Sequence, residues 1–185
     1  MYKNQIIIIL FLFLNFKWCL AGVGCWSNDG LFGGNIKSIA IDPNTSTTIY
    51  TGTKYGGVFK SIDGGSTWQA INVGLGYKDV NDVKIDPVTS TILYAGITGL
   101  GLLKSIDQGT TWRSTSLTSP VSSIAINPIS SNVLYAGTDD GVYQSIDYGE
   151  TWTQKGLSDM EITSVVIDRK NSNIVPLPFS RSFPT

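Results

Sequence analysis

Three aspartates, Asp63, Asp107 and Asp147, hold the same place in an eight-residue sequence, S-x-D-x-G-x-T-W, that recurs at residues 61–68, 105–112 and 145–152. Carboxylates at so fixed a place could ligate calcium, serve as acid or base, or brace the turn that carries them. One carboxylate per copy falls short of the roughly six to eight oxygens that calcium takes. An active site is needed once, whereas this turn is written three times. The bracing role therefore leads. Each aspartate accepts N–H groups within its own turn, Gly65, Gly109 and Gly149 supply a backbone shape that a Cβ would hinder, and Thr67, Thr111 and Thr151 begin the returning segment. Trp68, Trp112 and Trp152 can then bury their rings between neighbouring units. No histidine occurs among the 185 residues, which removes Ser-His-Asp and Cys-His nucleophile systems and HExxH zinc sites. This reading expects no catalytic residue, no metal site and no cofactor.

The elements that position these turns repeat with them. The three tryptophans lie 44 and 40 residues apart, and Tyr50, Tyr94 and Tyr135 keep register at 44 and 41. Upstream of each turn stand matching segments, IKSIAIDP with TIYTGT, VNDVKIDP with ILYAGI, and VSSIAINP with VLYAGT. Short runs of β-branched and aromatic residues separated by Gly, Pro, Asn and Asp read as strands. In the first unit strand A carries the aliphatic pair Ile39 and Ile41 and stops at Asp42-Pro43. Strand B covers 48–51 and ends at Gly52, strand C covers 58–60, and strand D covers 67–71. Four strands in some 40 residues make one propeller blade. The expected fold is all-β, a partial β-propeller of about three and a half blades, at 36–72, 80–116, 121–156 and an incomplete 162–175.

These repeats resemble the Asp-box, or BNR-repeat, β-propellers, a family that includes sialidases, xyloglucan-degrading hydrolases, sortilin-type receptors and photosystem II assembly factors. The resemblance runs from Trp26 to about Val175. It implies that the boxes lie on the C-to-D turns, away from the face that carries active sites in the family.

The ends depart from the repeat. Lys3, an apolar run from Ile6 to Leu14 and the small residues Ala21, Gly22 and Gly24 give residues 1–24 the anatomy of a secretory signal, too short in its apolar part to span a bilayer. A secreted, periplasmic or cell-surface location follows, with membrane attachment only if Cys25 is lipidated. Trp26 precedes strand A as the box tryptophans do, so 26–31 reads as an orphan D strand. Residues 176–185, with prolines and no register, read as an aberrant tail that forms neither strand B nor C. The chain is expected to be a truncated propeller whose open blade edges promote self-association.

Function is expected on the face that the B-to-C and D-to-A loops share, because variable loops on a repeated frame are the usual place for binding. The candidates are Lys54, Tyr55, Tyr77, Lys78, Asp79, Asp139, Asp140, Asp159 and Glu161. A net charge of −1 with 15% charged residues excludes a nucleic-acid footprint. A sialidase-like site would need an arginine triad, and Arg113, Arg169 and Arg181 fall on dissimilar segments. The xyloglucan hydrolases carry an aspartate where this chain has Lys54, which cannot replace a carboxylate. The expectation is a non-catalytic binding or scaffold module for a glycan or protein partner, with a propeller-hydrolase remnant or an assembly factor-like propeller as alternatives.

Overall fold

A computed structural model describes residues 35–168 and the backbone of residues 174–177. The first sheet is formed by β1 (Asn35–Ile41), β2 (Ile49–Lys54), β3 (Gly57–Ser61) and β4 (Gln69–Ala70), antiparallel in chain order. The second contains β5 (Val80–Ile85), β6 (Leu93–Ile97), β7 (Gly101–Ser105) and β8 (Arg113–Ser114). The third contains β9 (Val121–Ile126), β10 (Leu134–Thr138), β11 (Gly141–Ser145) and β12 (Thr153–Gly156). A hairpin of β13 (Ser164–Ile167) and β14 (Ile174–Leu177) follows. Neighbouring sheets meet chiefly through β1, β5, β9 and β13, and no helix occurs among the described residues.

One packing device joins every pair of neighbours. A Cβ on Gly52 would lie 2.8 Å from Val80, one on Gly96 2.7 Å from Val121, and one on Gly137 2.8 Å from Ile162. Each glycine is thus a socket in the second strand of a blade, and the first aliphatic residue of the next blade fills it. Val80, Val121 and Ile162 are accordingly buried. A polar bond accompanies each socket. The Ser38 hydroxyl accepts the Val83 N–H, Asp82 accepts the Ile124 N–H, and the Ser123 hydroxyl accepts the Val165 N–H. Asp82 also receives the Ser38 hydroxyl and the Lys84 ammonium, so this buried carboxylate is fully bonded.

Several strand limits differ from those expected, each for a physical reason. The second strand of the first blade does not stop at Gly52 but runs on to Lys54, because that glycine is a socket rather than a turn. The outermost strands β4 and β8 shrink to two residues each, which keeps the edge short and poor as a pairing template. Ile39 and Ile41 do not enter the core. They are 58% and 57% exposed, whereas Val83, which matches Ile39, is buried. A propeller sheet is covered on both sides only where it has two neighbours, and among the described residues β1 has one.

The tail also needs correction. Ile174–Leu177 pairs with β13, placing Pro176 opposite Val165 in strand geometry. Proline is tolerated there because, among the described residues, β14 pairs on one side only, with β13, so a missing N–H on its other side interrupts no ladder. In this register Leu177 stands opposite Ser164, as Gly52 stands opposite Ser38, Gly96 opposite Asp82 and Gly137 opposite Ser123. A leucine therefore occupies the socket position of the fourth unit. The expected signal, Cys25 and the strand at 26–31 lie outside the described residues, as does the tail after residue 177.

Candidate functional site

The aspartate turns close on themselves. In the second, Asp107 accepts the Thr111 N–H at 2.9 Å through one oxygen and the Thr111 hydroxyl at 2.6 Å through the other. The Ser105 hydroxyl donates to the same carboxylate and accepts the buried Gly109 N–H at 2.8 Å. The geometry repeats at Ser61, Asp63 and Thr67 and at Ser145, Asp147 and Thr151. The threonine hydroxyl, then its backbone N–H, holds Asp63 and Asp147 down to a pKa of about 2, and lowers Asp107 in the same way. A carboxylate so stabilised as an anion is a poor proton carrier.

The serine was missed by sequence reasoning, although it stands in every copy of the motif. Its hydroxyl satisfies the buried N–H groups of Gly109 and Gly149, while the aspartate bonds sit at the exposed rim. Ser105→Ala is therefore expected to cost about 1–3 kcal/mol, because it orphans a buried donor, and Asp107→Ala less. Urea midpoints of the two variants check this order. A larger loss for Asp107→Ala would reassign the leading role to the carboxylate.

The tryptophans differ among themselves. Trp112 is buried and its Nε1 donates to the Ile71 carbonyl of the preceding blade at 2.8 Å, while Trp68 and Trp152 donate within their own turns to Gly65 and Gly149. A second cross-blade contact was also missed. Glu150, inside the third turn, accepts Lys104 at 2.7 Å and the Arg113 guanidinium, both from the preceding blade.

On the opposite face, backbone bonds pin the variable loops to one another. Gly57 N–H donates to the Lys78 carbonyl, Thr98 to Asp79, Leu102 to Leu117, Asp139 to Pro120, and Ile162 to Thr138. Lys54, Tyr55, Tyr77 and Lys78 gather over the first blade. The two tyrosines are 70% and 76% exposed, and the Lys54 ammonium lies 5.0 Å from the Tyr55 ring centre. Tyr55 takes a left-handed φ of 68°, which turns the loop tip at a position that glycine would hold more cheaply. Asp139, Asp159 and Glu161 are exposed at the other end of the face, over the third blade and the approach to β13. Asp79 is occupied by Lys37 at 2.8 Å, and Asp140 accepts the Tyr143 hydroxyl at 3.0 Å. The candidates thus form two groups on separate loops rather than one convergent site. Leu100, Leu157 and Met160 add exposed apolar surface to the same face.

Comparison with solved structures places this geometry. The chain is similar to an ancestral GH74 enzyme at 25% identity and a TM-score of 0.64, covering 76% of this chain and 21% of that one. The fold is a β-propeller, present in part. It also matches the extracellular domain of a one-component system from B. thetaiotaomicron at 22% identity and TM-score 0.58, covering 75% and 20% of the respective chains. YCF48 bound to D1 peptide matches at 16% identity and TM-score 0.53, covering 69% and 44%. The propeller described here therefore spans about a fifth of the GH74 chain's length. No family model and no curated protein sequence matches the chain.

Proposed function

We propose that the chain is an exported, non-catalytic binding or scaffold module that presents its loop face to a protein or glycan. The observation that carries this reading is the pair of exposed tyrosines, Tyr55 and Tyr77, on loops tied together by the Gly57–Lys78 backbone bond. Large planar side chains on a prepaid scaffold bind with little ordering cost. Lys54 at the loop tip and the separation of the acidic candidates from it favour binding over glycoside hydrolysis, which needs two carboxyl groups facing one bond. The likeness to the extracellular domain of a one-component system is in keeping with an exported role, and the likeness to a peptide-bound propeller with a protein partner.

Glycan and peptide arrays probed with the chain test this. Retention is expected, and Tyr55→Ala with Tyr77→Ala should weaken it about tenfold or more without moving the urea midpoint, as for loss of a buried aromatic contact. Hydrolysis of a retained glycan, or binding untouched by the double variant but lost on Ile62→Ser across the molecule, would overturn it.

A further inference from the structure

We propose that the loop face is a two-fold interface with a second copy of this chain. The proposal rests on the reading of this face as the binding face and names its partner. Four observations carry it. Tyr55, Tyr77 and Met160 are exposed on this face, and such residues are enriched at interfaces rather than on free surface. After the occupied acids Asp79 and Asp140 are set aside, the charge on the loops themselves is segregated, with Lys155 of β12 the one cation bordering the acidic end among the described residues. Lys54 and Lys78 lie over the first blade, and Asp139, Asp159 and Glu161 lie at the other end. A two-fold axis through the middle of such a face lays the basic end of each copy on the acidic end of the other, the self-complementarity that an isologous contact demands.

The loops are already fixed by backbone bonds, so docking would order little. Other apolar surface is exposed as well, at Ile62, Ile106 and Ile146 on the opposite turns and along the open side of β1, but among the described residues the β1 side has no glycine socket to enter. Gly52, Gly96 and Gly137 are each filled within the chain, and Leu177 stands at the fourth socket position, so a copied β1 finds no empty glycine to enter.

Sedimentation velocity of the chain tests the proposal. A dimer is expected in low salt, and its dissociation constant should rise about tenfold or more between about 50 and 300 mM salt as the charged ends are screened. Lys54→Glu with Lys78→Glu should give monomers, and so should Asp139→Lys with Glu161→Lys. Mixing the two double variants in equal amounts should restore a dimer, because both contacts then pair opposite charges. This restoration also shows that neither variant has misfolded. Ile39→Ser on the open β1 side should leave the dimer intact. A monomer in every condition, a dimer that survives Lys54→Glu with Lys78→Glu, failure of the mixture to reassociate, or loss of the dimer on Ile39→Ser would each overturn it. The tyrosine arrays decide separately whether the face binds other ligands, so the two readings can fail independently.

Discussion

Replacing Gly96 with valine is expected to cost the protein about 3 kcal/mol or more, near the upper end for an overpacked core. Valine is a better strand residue than glycine, so intrinsic preference predicts the opposite sign. Packing decides. The new Cβ would meet Val121 Cγ1 at 2.7 Å and the Val121 carbonyl at 3.2 Å, and the second contact is backbone that cannot step aside. Val121→Ala should separately destabilise by about 2 kcal/mol, and the double variant should lose less than the sum of the two. Urea unfolding of all four proteins measures the coupling. Strict additivity would mean that Gly96 is not the socket for Val121.

Removing the charge of Glu150 should have the next largest effect. The Lys104 side chain is only 5% exposed, and Glu150 is its carboxylate partner. Glu150→Gln would strand that ammonium at a cost of about 2–3 kcal/mol, discounted from a fully buried pair because Glu150 itself is partly exposed. Adding Lys104→Met should recover much of the loss, since an apolar side chain needs no counter-charge. The pH dependence follows the same pair. The Arg113 bond, followed by Lys104, pulls the Glu150 carboxyl down to about 2, against roughly 4.3 in an unfolded chain. A depressed acid stabilises the fold fully above the unfolded value, and that contribution fades as pH falls from about 4.3 toward 2. Chemical unfolding midpoints across that interval should fall less steeply for Glu150→Gln than for the parent. Equal slopes would show that the pair is not felt.

The blades and their turns were legible because the same residues had to solve the same local problem three times, and local problems leave local spacing. Cross-blade contacts were less so. Glu150 reaches Lys104 across 46 residues, and no local pattern links them. Alternation along β1 separated two sides of a strand but could not say that the side bearing Ile39 would be the uncovered one, since propeller sheets are apolar on both sides. Proline at 176 argued against a strand because composition does not reveal which strand is an edge. In the loop face, position was legible and availability was not. Asp79 and Asp140 belonged to the right loops, yet Lys37, which occupies Asp79, comes from a strand 42 residues away whose approach only the fold determines, and Tyr143, three residues from Asp140, reaches it only because the hairpin folds its ring back.

The glycine socket has a consequence for how such a molecule counts. Each socket is read only by the next unit, so a seam specifies one step of rotation and nothing about the total. Closure into a ring is then an arithmetic property of the accumulated angle, as in any head-to-tail assembly whose repeated step must sum to a full turn. A substitution that tilts one seam by a few degrees would leave its own blades well packed and show its effect at the far side of the circle. Selection on blade number therefore acts on side chains that never meet where the ring closes.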